Sequence, residues 1–566
     1  MKSVIQLTVF LAFVAPACAQ AVIPIGEIQG SAHRSPLEGR EVTTEGIVTK
    51  VDKNGFYLQS ARPDKFSETS EAIYVYRPNS NVEVGNLLRL DGRVEEWKWG
   101  KEEDPNLTLT QLRGKNIGIL SKRVALPGPM VLDTLLRNIP EAIKKPGSPF
   151  DPGLNAMDFW ESLEHMRVVF RNSIIIGPRS PYDEIAVRAA RAGPGPVTKK
   201  GGLKLTRFDS NSARVLVALR PENEHAYNTG DRIRIPIEGV VTYSFGNFKI
   251  VTTKVTSPPT PAKAPTPQVP SIPDRALTIA SFNVENLYPG SSDEKFAALA
   301  AIITGQLLSP TILGLQEIQD NSGPADDDVV DADATLKKLI RFIREARGPD
   351  YRFTQINPIN RADGGRPGSN IRNAFLYDPQ QVNWKSSYRL RHASFDRSEE
   401  RNYTGTRKPL VAEFDFEEKE WIVINCHLRS KRGDGPSYGS LRPPVRFTEP
   451  QRLEQTRRVR AHVAQLRAKR PRSGIVVLGD LNDFEFSPPL RELSGKGELI
   501  NLVEDLPVED RYTYIFQGMS QALDHILVTP DLARRAGIFI AHVNADKSVQ
   551  LRSSDHDPIL AWFPFH

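Results

Sequence analysis

Seven of the seventeen residues in 257–273 (SPPTPAKAPTPQVPSIP) are proline, and none is aromatic. Proline lacks an amide hydrogen and has a fixed φ, so such a run enters neither a helix nor an inner strand. It reads as a stiff, extended linker that divides the chain in two. The 566 residues suit about three to four domains, so each side is long enough to build its own core. Apolar residues make up 39% and charged residues 25%, which excludes a membrane channel and a wholly disordered chain.

At the N-terminus, Lys2 precedes an apolar run over 4–14, and Ala17-Cys18-Ala19 follows. The run is too short to cross about 30 Å of hydrocarbon, so residues 1–20 read as a signal peptide and the protein as secreted, without membrane insertion. A lipid-anchored Cys18 is the less favoured alternative, because Ala15 stands where such a site usually has Leu. Once Cys18 leaves, only Cys426 remains and no internal disulfide can form. Cys426 sits in an apolar run and reads as a buried small hydrophobe.

Before the linker, short β-like runs recur at hairpin spacing: EVTTEGIVTKV (41–51), GFYLQ (55–59), 72–76, 87–94 and 107–112. Together with IGEIQG (25–30) and Ser35-Pro36-Leu37, these runs resemble the oligonucleotide-binding-fold module found ahead of secreted bacterial nucleases. That resemblance implies a β-barrel over 22–126 that holds a nucleic-acid strand, with Phe56 and Tyr57 as candidates for base stacking. A β-sandwich spacer is the alternative. Residues 127–256 read as a second β-rich domain, with strands at 214–219 and 232–243.

Beyond the linker, over 274–566, the rhythm changes. Strands at 276–282, 311–316 and 474–478 alternate with helices at 293–308, 333–347 and 449–470, which indicates an α/β domain.

Polar residues cluster at the ends of these apolar runs. Asn283 and Glu285 follow one, Glu317 another and His427 a third; Asp480 and Asn482 follow a fourth. Asp524 and His525 open a fifth, and Asp555, His556 and Asp557 precede the last. Six such ends imply one convergent pocket at a common sheet edge. Acids with an Asn suit a hard divalent cation that wants oxygen ligands. No CxxC, HExxH or GxxxxGK[ST] motif occurs, which argues against a thiolate zinc site, a zincin and an NTP loop. Oxygen ligands with His and Asp form the kit for hydrolysing a phosphate ester.

SFNVENL (281–287), LGLQEI (313–318), NCHLRSKRGDG (425–435), VVLGDLND (476–483), ALDHILV (522–528) and SSDHDPI (553–559) resemble, in order, the motifs of the endonuclease/exonuclease/phosphatase superfamily. The layout is similar to large extracellular deoxyribonucleases. The resemblance implies a four-layer α/β sandwich of two mixed sheets flanked by helices, and a metal-dependent phosphodiesterase. Mg²⁺ is the implied cofactor, with Mn²⁺ as an alternative. Glu317 would be the main ligand, with Asn283 and Asp555 close to the metal and Glu285 at a second one. His556 would be the general base, oriented by Asp524. Asp480 and Asn482 would position water or phosphate, and His427 would contact the scissile phosphate or protonate the leaving oxygen. Arg372 and Arg407 would grip phosphate.

Residues 429–472 hold thirteen bases against three acids, a local +10 in a chain of net +6. A solvated helix face accounts for part of this run. The loop part, with Arg429 and Lys431, reads as a lip that tracks phosphates. The acids Asp326, Asp327, Asp328, Asp331 and Asp333 either bind a structural Ca²⁺ or cap the helix that starts at Asp333. The leading expectation is therefore a secreted nuclease, endonuclease or exonuclease, acting on DNA, with no protein partner evident. A lipid phosphodiesterase or phosphoinositide phosphatase, and an inert nucleic-acid-binding matrix protein, remain as alternatives.

Overall fold

A computed structural model of the chain describes residues 21–132, 147–189, 196–207, 214–254, 256–263, 269–401 and 404–565. The expected signal peptide lies outside the described residues, as does 264–268 of the linker. Among the described residues, no helix is long and apolar enough to cross a membrane.

The chain forms two compact units. In the first, β1 (Glu41–Asp52), β2 (Gly55–Gln59), β3 (Ala72–Tyr76), β4 (Leu87–Lys98) and β5 (Thr108–Ser121) close a barrel in the order β1-β2-β3-β5-β4. That is the strand order of a five-stranded oligonucleotide-binding-type barrel. Val48, Phe56, Leu58, Ile73, Val75, Leu88, Leu90 and Leu112 fill its interior. Phe56 is fully buried and Tyr57 is 5% exposed, so neither is free to stack on a base. Strand alternation points Phe56 inward. Tyr57 is covered by Tyr74 and by the ring of His165, at 5.1 and 5.6 Å between centroids.

The second unit begins with β6 (Met130–Val131), β7 (Arg167–Phe170), β8 (Ser173–Gly177), β9 (Glu184–Ala189), β10 (Leu203–Lys204), β11 (Val215–Ala218), β12 (Arg232–Ile233), β13 (Ile237–Ser244) and β14 (Asn247–Thr252). All but β10 make one eight-stranded sheet, order β12-β8-β9-β11-β14-β13-β7-β6. The single strand expected over 232–243 splits in two around Pro236, which cannot donate to a ladder. The linker is also partly docked. Thr260 exchanges both backbone hydrogen bonds with Arg232, and Ala262 N donates to Asp231.

The rest is the α/β sandwich. One sheet contains β15 (Ala276–Leu287), β16 (Ile312–Ile318), β17 (Arg352–Gln355), β18 (Arg372–Tyr377), β27 (Gly537–Ile540) and β28 (Ile559–Pro564), in the order β17-β18-β16-β15-β28-β27. The other contains β19 (Asn383–Arg389), β20 (Leu410–Phe416), β21 (Lys419–His427), β22 (Gly474–Asp480), β23 (Ile500–Asn501) and β26 (Asp524–Val528), in the order β19-β20-β21-β22-β26-β23. A hairpin of β24 (Tyr514–Phe516) and β25 (Met519–Gln521) stands apart, paired to β10. Strand residues alternate between two apolar environments. Ile279 and Ile312 face the other sheet among Val423, Val476 and Leu478. Phe282, Leu313 and Leu315 face α1 (Asp293–Ala301) and α2 (Asp333–Glu345). On the far side, Val459, Val463 and Leu466 of α3 (Glu449–Lys469) pack on Ile422, Ile424, Ile475 and Val477. Burial on both faces explains why these strands read as unbroken apolar runs. The four-layer expectation holds.

Candidate active site

The strand ends carrying the polar residues do not simply stop. β15 and β16 lose register between Asn283 and Leu287, and β16 and β18 between Leu315 and Ile318. Glu285, Asn286 and Glu317, which lie in these breaks, have φ of 49°, 53° and 62°. Asn482, beyond β22, has φ of 53°. A non-glycine residue held there costs about 1–3 kcal/mol, and such strain concentrates at functional sites. The bulges turn both glutamates out of their ladders. Gly479 has φ of 131°, and a Cβ there would lie 1.9 Å from the carbonyl oxygen of Cys426. Glycine is therefore required where β21 and β22 bring His427 beside Asp480. Cys426 itself is buried, and burial pushes its thiol upward.

The side chains converge. Asn283 Nδ2 donates to Glu317 Oε1 and to Asp480 Oδ2, both at 3.2 Å. The Asn286 amide donates to Glu317 Oε2 at 3.0 Å. His427 Nε2 lies 3.3 Å from Asp480 Oδ2 and 3.9 Å from Glu317 Oε1. Asn482 donates its amide to Asp480 Oδ1 at 2.9 Å and Nδ2 to Oδ2 at 3.3 Å. His556 Nδ1 sits 2.6 Å from Asp524 Oδ2, and its Nε2 is 3.9 Å from Asp480 Oδ2. Thr513 Oγ1 donates to the same Asp524 oxygen at 2.7 Å, and the Tyr514 ring lies 4.8 Å from that of His556.

The two histidines are driven in opposite directions. Burial disfavours charge on His556, but Asp524, Asp480 and Asp555 outweigh it and hold the imidazole well above its ordinary range. His427 is pulled well below that range by burial, with Arg407 and His556 adding to the effect. Its Nδ1 has no partner among the described residues, and no glutamate supports it.

Burial, then Asp555, raises Glu317, and the same two causes raise Glu285 to about 7. Burial raises Asp480 to about 7. Crowded, half-desolvated carboxylates of this kind call for a positive counter-charge. Their hard oxygens fit a divalent cation held by Glu317, Asp555, Asn283 and Glu285. Asp480, Asp524 and His556 also bring ligand atoms within 4.8 Å of one another, although Asp524 already holds His556 Nδ1.

The cationic candidates behave differently from one another. Arg407 is buried; its Nη2 donates to the Leu428 carbonyl at 2.9 Å, and Glu317 and Asp480 are the nearest charges that oppose its desolvation. Arg372 is tied up by Gln355, Asn357 and the Asn370 carbonyl, outside the hydrogen-bonded cluster. Lys431 donates to Asp483 at 2.5 Å, and burial lowers it to about 8. Arg429 remains half-buried and donates to the Arg432 carbonyl. The helical part of the +10 run is largely neutralised from elsewhere in the fold. Arg457 and Arg460 meet Glu492, Arg470 meets Glu413, and Arg452 is fully buried on Asp483. The acidic loop is likewise internally satisfied: Asp326 pairs with Arg361, Asp327 accepts from Ser322 and Asp328 from Asn360.

Thr513 and Tyr514 belong to the site but lie in none of the sequence motifs. The available signal was Gln517-Gly518, whose φ values of 49° and 83° make a tight hairpin turn.

A His–Asp pair, an oxygen-rich metal cradle and a buried arginine at one edge of a two-sheet sandwich define a metal-dependent phosphodiesterase of the nuclease type. Residues 280–556 match the Endonuclease/Exonuclease/phosphatase family, which places this C-terminal region in that superfamily. Residues 121–260 match a domain of unknown function (DUF8508). Similar solved structures include truncated TDP2 from Caenorhabditis elegans, 18% identical, covering 51% of this chain and 98% of that one, TM-score 0.36. D. rerio TDP2 complexed with single strand DNA product is 17% identical, covering 52% and 100%, TM-score 0.35. The human Nocturnin catalytic domain with bound sulfate anion is 13% identical, covering 52% and 94%, TM-score 0.36. No curated protein matches.

Proposed function

We propose that the protein is a secreted, Mg²⁺-dependent nuclease that hydrolyses phosphodiester bonds of extracellular DNA and leaves a 5′-phosphate. The observation that carries this reading is the convergence of Glu317, Asn283, Asp480, His427 and the Asp524–His556 pair on one pocket. A divalent cation bound by Glu317, Asp555, Asn283 and Glu285 would neutralise charge developing on the phosphate. Asp524 holds Nδ1 of His556 and leaves Nε2 towards the attacking water; a bound cation would offset the Asp480 and Asp555 charges that help to keep the imidazole protonated, and so would let Nε2 act as the base. Asp480 and Asn482 hold that water or a phosphate oxygen in place. His427, kept neutral by burial, donates a hydrogen bond rather than a proton, which supports the phosphate-contact role over the acid role. Arg407 adds positive charge from beneath the pocket.

The loop after His427 exposes Leu441, Val445 and Phe447 between Arg432, Arg442 and Arg446. Arginines interleaved with apolar side chains suit a strand whose phosphates are gripped and whose bases stack. The same three side chains are what a lipid phosphodiesterase would insert into a bilayer, so the assay needs a lipid arm. Purified protein is incubated with plasmid DNA, RNA and sphingomyelin vesicles, with Mg²⁺ or with chelator. Mg²⁺-dependent DNA cleavage is expected. Turnover of sphingomyelin alone would replace this reading with the lipid one.

A further inference from the structure

We propose that the region matching the domain of unknown function is a working part of the active site, which it completes by fixing the Thr513–Tyr514 hairpin against Asp524 and His556. The inference rests on the catalytic reading of that pair.

Three contacts from this region meet on one short hairpin. Leu203 and Lys204 of β10 pair in parallel with Met519 and Ser520 of β25, making a third strand on the side of β25 away from β24. Buried Arg214 donates to the carbonyl of Gln517 in the turn. Gly177, at the end of β8, packs directly on Gly518: a Cβ at 177 would lie 2.7 Å from the Gly518 Cα. A two-stranded hairpin alone is marginal in water, and a third strand with a packed turn makes it rigid.

The hairpin bears directly on His556. Thr513 supplies the hydroxyl on Asp524 Oδ2 and accepts the Asp557 amide at its carbonyl, 2.8 Å away. Tyr514 lays its ring against the imidazole. The backbone around His556 is supported from the same side. Asn544 Nδ2 donates to the His556 carbonyl at 2.9 Å, and Asp557 Oδ1 accepts three amides from 543–545. This second loop is tied to the same region through Thr229 N on the Asp546 carbonyl, Asn228 on the Ser548 amide and Lys200 on Asp546. Lys204, itself buried, pairs at 2.9 Å with Glu485, just beyond Asn482.

Tyr514 is accordingly a positioning residue, and Gly177 is the point at which its hairpin can be displaced without altering the catalytic group. The test uses the full chain, Mg²⁺ and a fluorophore–quencher DNA duplex. Tyr514→Phe is expected to keep kcat within about twofold, since the ring does the packing, whereas Tyr514→Leu lowers kcat at least about tenfold with KM little changed. Gly177→Ala lowers kcat about tenfold, and the double variant Gly177→Ala/Tyr514→Leu is no slower than Tyr514→Leu alone, because both act through one contact. Amide hydrogen exchange over 514–521 speeds up in Gly177→Ala. Unchanged kcat, losses that multiply, or unchanged exchange would each overturn the proposal. If Gly177→Ala does not fold, Gly202→Ala, whose methyl meets Ser520 Oγ at 2.8 Å, takes its place with the same outcomes. A wild-type chain that turns over no substrate defeats the catalytic reading, and the exchange arm still decides this one.

Discussion

His165 in the barrel and His556 in the sandwich are 1% and 5% exposed, and each lies beside a carboxylate and a tyrosine ring. They nevertheless end in opposite states. Around His165, burial dominates: the imidazole is pushed down to about 3, and neighbouring Glu164 is pushed well above its ordinary range. Both groups become neutral, and Nδ1 of His165 and Oε1 of Glu164 have no partner among the described residues. Around His556, Asp524 is aligned at 2.6 Å and Asp480 and Asp555 add to it, so the imidazole keeps its proton affinity. One near neighbour does not overcome desolvation; an aligned partner within a surplus of carboxylates does. The first arrangement is packing. The second can do chemistry.

This contrast can be broken most severely at the sandwich. Glu317→Ala and His556→Ala should each lower the initial rate of DNA cleavage by at least about 10³-fold, while DNA affinity measured by fluorescence anisotropy stays within about threefold. Lost affinity with retained turnover would contradict the assigned roles. Asp524→Asn keeps the shape of the pair but removes its charge, and kcat should fall about 10²–10³-fold.

The barrel pair gives smaller effects with a defined pH sense. Glu164 is raised above 4.5, so its contribution to stability is complete at acid pH and is lost as pH rises, when the unfolded carboxylate ionises and the buried one does not. His165 falls to about 3 from 6.5, so its contribution is complete above 6.5 and is lost as pH drops from there towards 3. Because the two senses oppose each other, Glu164→Gln should raise β2 and β3 amide protection at pH 8 relative to pH 4, leaving the acid-side loss carried by His165. A pH dependence unchanged from the wild type would show that Glu164 is not the group responsible. The smallest expected effect is that of His165→Asn. Asn tolerates the φ of 62° at this position, protection of β2 and β3 falls by about 1–2 kcal/mol, and kcat is unchanged.

The apolar runs at 312–318 and 474–480 gave away the sandwich because burial on both faces leaves a plain sequence signal. The short alternating runs of β1 to β5 did the same for the barrel. Strand periodicity could not show that Glu285 and Glu317 sit in bulges with positive φ, because a bulge inserts a residue without changing its type. Tyr514 was hidden for another reason: its neighbour His556 is forty-two positions away in sequence and its hairpin is completed by Lys204, more than three hundred positions away. The +10 run misled because its partners, Glu413, Glu492 and Asp483, come from outside the window. The cover over Tyr57 was equally invisible, since His165 arrives from beyond the strands of the barrel.

The most direct test of the whole account is the rate at which purified full-length protein nicks supercoiled plasmid DNA with Mg²⁺, with chelator, and with Mg²⁺ after His556→Ala. Cleavage is expected only in the wild type with Mg²⁺. Equal cleavage with chelator, or by the His556→Ala chain, would contradict the assignment of the Glu317–His556 pocket as the phosphodiesterase centre.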